Sequence, residues 1–287
     1  MSEQTVQWFP GHMAKTRRLI KESLKNVDAV TEVLDARIPE GSRNPEISEL
    51  VESKPGIILL NKSDLADENA THLWIKHFES QGSRALAVDC RSGKGLNNFN
   101  NVIREVLKDK IQANEARGLG KRALRVMIIG IPNTGKSSFI NRMAGNYRAK
   151  VADKPGVTRQ NQWFPIGNGI ELLDTPGVLW PKFDDPAVGD RLAFIGSIKD
   201  SILDIETMAV RLIDVLKSSY SKRLEERYKI IDFADKESYE ILEMIGAKRG
   251  MLIKGGETDT ERAATMLLDE YRAGKLGKIT LEHPPKK

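Results

Sequence analysis

Cysteine occurs once in this 287-residue chain, at Cys90. A disulfide framework is therefore excluded, and a reducing compartment is expected. Long hydrophobic runs are missing as well: the most apolar stretches, near residues 57–60 and 126–131, fall far short of the roughly 18 residues a membrane span needs. Residues 1–9 have no apolar stretch of the signal-peptide kind, so a soluble, cytoplasmic protein with no membrane partner is expected. No fixed-period repeat is evident, and the only biased tail is Pro284-Pro285-Lys286-Lys287. Charge is modest at +5, and residues 1–180 carry all of the excess, with 26 Lys and Arg against 20 Asp and Glu. Lys15, Arg17, Arg18, Lys21 and Lys25 form one cluster; Arg117, Lys121, Arg122 and Arg125 form another. Such clusters are usually solvated faces, so they favour a nucleic-acid partner only weakly.

The length suits about two domains, each large enough for its own core. Apolar runs at 27–35, 56–60, 84–88 and 123–129 read as strands, and helical spacing is found at 45–52, 67–81, 96–115 and 136–144. That alternation predicts a mainly parallel sheet covered by helices. Residues 147–162 lack periodicity and contain Pro155-Gly156, as a loop would, and 163–166 with 169–173 read as a hairpin ending at Asp174. Beyond Pro186 the pattern is helical, at 192–198, 205–217, 236–245 and 260–273. The predicted domains are 1–182 and 183–287.

Three motifs carry chemistry. Gly130-Ile131-Pro132-Asn133-Thr134-Gly135-Lys136-Ser137 lies between a strand and a helix, the context of a phosphate loop. Backbone N–H groups from Asn133 to Ser138 would converge on phosphate, Lys136 would reach the β and γ phosphates, and the Ser137 hydroxyl would ligate Mg²⁺. Asn61-Lys62-Ser63-Asp64 ends a strand, where open parallel sheets bind ligands. The Asp64 carboxylate there would accept guanine N1–H and the 2-amino group and reject adenine. Asp174-Thr175-Pro176-Gly177 supplies a carboxylate for water-mediated Mg²⁺ binding and, at Gly177, an N–H for the γ-phosphate. Thr158 is the candidate switch threonine on Mg²⁺, although a lone loop threonine is more often structural. Asp89-Cys90-Arg91-Ser92-Gly93-Lys94-Gly95-Leu96 occupies the place of a further guanine-contacting loop, with Asp89 and Cys90 where Ser-Ala is usual. Cys90 is equally compatible with a small core residue.

The order of these motifs is rotated. The base-reading motif precedes the phosphate loop, giving 4-5-1-2-3 in place of 1-2-3-4-5. The expected fold is therefore an α/β, circularly permuted P-loop GTPase domain, followed by a smaller all-α domain. Missing too is the water-orienting Gln of Ras-type GTPases, whose position after Gly177 holds Val178. A low intrinsic rate follows.

Together with Trp8-Phe9-Pro10-Gly11-His12-Met13, Leu179-Trp180-Pro181-Lys182 and Gly196-Ser197-Ile198-Lys199-Asp200, these features resemble the bacterial ribosome biogenesis GTPase A family. Lys222-Arg223-Leu224-Glu225-Glu226-Arg227-Tyr228 extends the resemblance over nearly the whole chain. It implies a GTPase assisting late assembly of the large ribosomal subunit, whose helical domain binds ribosomal RNA and whose turnover the particle stimulates; DNA is not an expected partner. It also implies that His12 positions water, where an RNA contact or plain exposure would suit a histidine as well. Asn133 would ligate K⁺ beside the phosphates, unless it is simply a turn former. The alternative function is an RNA-binding scaffold gated by nucleotide, with hydrolysis incidental.

Overall fold

The structure is a computed structural model in which residues 10–120, 122–145, 162–180, 183 and 185–285 are described. It divides into two compact units, Met1–Phe183 with Glu282–Lys287, and Asp184–Leu281. The last residues thus do not stay with the helices before them.

In the first unit, helix α1 (Pro10–Ser23) leads to strand β1 (Ala29–Asp35), α2 (Pro45–Val51), β2 (Gly56–Asn61), α3 (Glu68–Ser80) and β3 (Arg84–Ala87). Helices α4 (Phe99–Val106) and α5 (Lys108–Ala116) follow, then β4 (Leu124–Ile129), α6 (Lys136–Ala144), β5 (Gln162–Pro165) and β6 (Ile170–Asp174). The six strands form one sheet in the order β3-β2-β1-β4-β6-β5, parallel throughout except for β5 on β6. From β1 the chain winds outward one way, through β2 to β3; from β4 it goes the other way, out to the edge strand β5 and back to β6, which lies between them. The switch point lies between β1 and β4, and in such sheets ligands bind outside the carboxyl ends of the strands at that point.

Side chains alternate across the sheet, as the two-residue strand period requires. Val33, Ile57, Leu59, Val126 and Ile128 pack on Phe99, Ile103 and Phe139 on one face. On the other, Val30, Met127, Ile129 and Leu173 meet Ile20 of α1 and Ile47 of α2, while Leu34, Ile58 and Leu60 meet Trp74 and Phe78 of α3. The single helix expected over 96–115 is instead a 3-10 turn, α4 and α5, with a break at Leu107 (φ −100°, ψ 14°). Phe99, Ile103 and Leu107 drive α4 into the core, whereas α5 has no fully buried residue and touches the core through half-buried Ile111.

The second unit holds α7 (Pro186–Phe194), α8 (Ile205–Tyr228), α9 (Ser238–Lys248) and α10 (Thr260–Arg272), with α8 packed on the other three. Helix α7 begins six residues before the expected 192, because Asp185 caps Ala187 N and Pro186 occupies the first turn. Helix α8 runs past the expected 217 to Tyr228, bending at Tyr220, whose hydroxyl donates to Thr280 O (2.7 Å). Leu212, Leu216, Ile241, Ile245, Leu267 and Leu268 supply its core.

Candidate functional site

Three loops converge at the carboxyl ends of β2, β4 and β6. Register puts Asp35 of β1 beside Asn61 of β2, and Ile128 of β4 beside Asp174 of β6. The phosphate loop after β4 owes its path to backbone conformations few residues tolerate. Gly130 has φ 147°, and a Cβ there would lie 2.5 Å from Val33 O; Gly135 has φ 99°, and a Cβ would lie 2.2 Å from Asn61 Nδ2. Asn133 adopts φ 63°, a left-handed geometry that asparagine accepts better than most residues. Thr134 is buried and its hydroxyl donates to Ile131 O (3.1 Å).

Lys136 opens α6, where the helix dipole favours anions, and donates its Nζ to Ile131 O at 2.8 Å. Burial pulls its pKa down to about 8, an effect the nearby Asp174 charge partly offsets. Ser137 and Ser138 follow on the same turn, both half-buried. Asp174 is buried at the end of β6, and Thr175 ties the next residue to the sheet by donating to Ile128 O (2.6 Å). Gly177 approaches the phosphate loop closely: a Cβ there would meet Lys136 Nζ at 2.7 Å and Pro132 N at 2.9 Å. Val178 is buried beyond it, sharing a small cavity with Ile20, Ile47 and Ile129.

Asn61 joins its own loop to those after β3 and β4. Its Nδ2 donates to Thr134 O (2.6 Å) and its Oδ1 accepts from Cys90 N (3.0 Å), so both ends of the amide are engaged by protein. Lys62, at φ 59°, pairs with Asp35 (3.0 Å), which the Arg37 guanidinium also grips as a fork at 2.8 and 2.9 Å. Burial alone would raise Asp35; Arg37 and Lys62 outweigh it and hold the carboxyl well below the usual range. Ser63 N donates to Val88 O (3.1 Å), and Asp64 is exposed at the rim. Partial burial and the neighbouring Asp89 charge lift the Asp64 carboxyl above its ordinary value. Asp89 itself organises its own loop, accepting from Arg91 N (2.8 Å) and Ser92 N (3.2 Å). Cys90 is buried, and burial together with Asp89 pushes its thiol up to about 12, so it is packing rather than chemistry.

Thr158 lies outside the described residues. His12 falls within α1, but its side chain is likewise outside them. Sequence reasoning missed Asp35 and Arg37 as site neighbours, although Asp35-Ala36-Arg37 stands at a strand end, and gave no role to Asn44 or Glu282. Asn44-Pro45 carries a readable signal, a helix cap followed by proline at the first turn.

A strand-loop-helix cradle of the phosphate-loop kind at the switch point, with the candidate base-reading loop two strands away, defines a P-loop GTPase, and the strand order together with the motif order makes it a circularly permuted one. Residues 125–248 match a family model described as "50S ribosome-binding GTPase". The chain is 47% identical to Ribosome biogenesis GTPase A of Bacillus pumilus, over 98% of this chain and 99% of that protein. It is likewise 47% identical to that of Priestia megaterium, over 98% and 97%. Among solved structures, GNP-bound YlqF from T. maritima matches with a TM-score of 0.67 and 31% identity, over 95% of this chain and 100% of that one. The chain belongs to the ribosome biogenesis GTPase A family and is an enzyme that hydrolyses GTP.

Proposed function

We propose that this GTPase assists late assembly of the large (50S) ribosomal subunit in the cytoplasm, engaging precursor particles through ribosomal RNA and being stimulated by them. The observation that carries the reading is the match of both units, along nearly their whole length, to ribosome biogenesis GTPases A. In the domain scheme 1–182 and 183–287, the helical part is the RNA-binding one. Asp64 reads guanine, with Lys62, Ser63, Asp89 and Cys90 lining the base side. Residues 133–138 cradle the phosphates, Lys136 neutralises them, and the Gly177 N–H senses the terminal one. His12 orients the attacking water that Val178 cannot hold.

The residues fit Mg²⁺ held largely by nucleotide phosphate. Among the described residues no cluster of three His, Cys, Asp or Glu forms a protein cage. Gly177 comes so near Lys136 that a Cβ would fill the space between them, the buried Asp174 lies close enough for its charge to act on Lys136, and Ser137 is the next residue of α6. One or two such ligands with phosphates are what Mg²⁺ takes in nucleotide enzymes. Ser137, Asp174 and Thr158 would hold it, and Asn133 would help hold K⁺; bound there, the cations offset charge that builds on the phosphates.

A second reading, a nucleotide-gated RNA scaffold, draws support from Val178, whose apolar side chain is buried. Turnover and co-sedimentation with 50S precursors in GTP, GDP and a non-hydrolysable analogue separate the two. Nucleotide-dependent binding with accelerated turnover is expected; binding without acceleration would favour the scaffold, and no binding would remove both.

A further inference from the structure

The connection between β1 and α2, residues 36–44, is unusually buried, with only Glu40 exposed and Arg43 half-buried. Loops ordinarily run over the surface, since a buried one must find partners for its backbone polar groups. Ala36 N donates to Asn61 O (2.8 Å), Ser42 N to Ile38 O (2.8 Å) and Arg43 N to Glu40 O (2.9 Å), and side chains complete the set. Ser42 Oγ accepts from Asp35 N (3.0 Å) within the loop's own base. The Glu282 carboxylate accepts from Glu40 N (2.9 Å) and Gly41 N (3.0 and 3.1 Å). At the far end Asn44 divides its amide: Oδ1 caps α2 by accepting from Ile47 N (3.3 Å), and Nδ2 donates to Val178 O (3.0 Å). Residues beside Asn44 are held too, because Arg43 Nε (3.1 Å) and Ser48 Oγ (3.0 Å) donate to the two oxygens of the buried Glu32.

We propose that Asn44 is a positioning residue for hydrolysis, its side-chain amide fixing the backbone one residue beyond Gly177 so that the Gly177 N–H stays aimed at the terminal phosphate. The proposal rests on the reading of Gly177 as the phosphate sensor. The Thr175 hydroxyl anchors the start of this segment, but Val178 offers no polar side chain, so beyond Gly177 the handle is the Val178 backbone carbonyl. Val178 O is tied to a side chain whose own support is rigid: a helix cap on one side, and a loop clipped by Glu282 on the other. Positioning groups need that kind of support, because a functional group displaced by a fraction of an ångström loses much of its effect.

The test uses Asn44→Asp and Asn44→Ser in the full-length protein. Asn, Asp and Ser cap helices about equally well, so both variants keep the α2 cap. Aspartate sets an acceptor against the Val178 carbonyl, and serine is too short to reach it. Affinities for GDP and for a non-hydrolysable GTP analogue, with kcat and KM, are measured for both and for Gly177→Ala. Both Asn44 variants should bind GDP within about twofold of the parent, yet lose roughly threefold to tenfold in analogue affinity and in kcat, the worth of about one hydrogen bond. Aspartate should be the worse of the two. Equal losses for GDP and analogue would make Asn44 merely structural and overturn the proposal, as would unchanged analogue affinity and kcat. If Gly177→Ala weakens the analogue selectively and the Asn44 variants do not, only the role of Asn44 fails. If Gly177→Ala leaves the analogue-to-GDP ratio unchanged, the sensor reading fails and the role of Asn44 goes with it.

Discussion

Lys136 holds its charge in a place that disfavours charge, and a polyphosphate is what would make that charge comfortable. With its pKa brought down to about 8 by burial, the lysine is part-neutral just above neutrality, and a bound phosphate chain would raise it again. Binding then takes up a proton, so affinity is full below about pH 8 and declines as pH rises beyond it. Calorimetry at pH 8 in two buffers of different ionisation enthalpy should show net proton uptake with GTP, and Lys136→Arg should remove it; no uptake in the parent would contradict the assignment. Asp64→Asn replaces a double acceptor with one acceptor and one donor. Hydrogen bonds to a charged group are worth roughly 1.5–3 kcal/mol each, so GTP affinity should fall by at least about tenfold and XTP should gain on it. Titration with GTP, XTP and ATP decides, and unchanged GTP affinity would end the base-reading role. At Asn133, the cation reading predicts faster turnover in K⁺ than in Na⁺ at matched ionic strength, lost in Asn133→Ala. Equal rates would remove the cation and leave the GTPase.

Among the elements, the loops after β2, β3 and β4 are braced together by Asn61, whose amide reaches Thr134 O and Cys90 N. Asn61→Ala leaves Thr134 O and Cys90 N without that partner, at about 1–3 kcal/mol for each buried group. Stability to urea should drop by that order, and GTP and GDP affinities should fall together. A loss confined to one nucleotide would show that the brace is not the point. The loops were legible in the sequence because their glycines, cap residues and strand ends are local signals, and the βα alternation follows from apolar runs of strand length. Less legible was what each side chain spends its atoms on. Asn61 and Asp89 look like ligands in a motif, yet their bonds go to neighbouring loops and to their own turn. Nor could spacing show where α4 would break: Leu107 and its neighbours fit one continuous helix, and beyond the break only Ile111 still packs, half-buried, against the core. Asn44 reaches across 134 residues to Val178, and such a contact leaves no periodic trace.

For the molecule as a whole, rotation of the motif order makes the helices the next elements in sequence after Gly177, where an unpermuted chain would continue into another strand. The helical unit is joined to the first unit at both ends, since the chain re-enters at Glu282 and spends a buried carboxylate on Glu40 and Gly41 and a carbonyl on the Trp74 indole (3.0 Å). Cutting the chain near 185 would remove this closure along with the helices, so loss of particle response in such a truncation would be ambiguous. Excising 185–281 and joining the ends with a flexible linker keeps the closure, and the product should bind GTP normally while losing all response to particles. Retained stimulation would show that the helices are not the receptor. Removing residues 282–287 alone should lower the thermal midpoint, by the equivalent of roughly 2–4 kcal/mol, since backbone donors to a carboxylate and an indole N–H lose their partners. Topologically the helices are thus an insertion, not an appendage. A protease nicking the connection after Phe183 would leave two pieces, the second still holding Glu282 against Glu40 and Gly41, and a second cut, just ahead of Glu282, would sever the other covalent tie between the units.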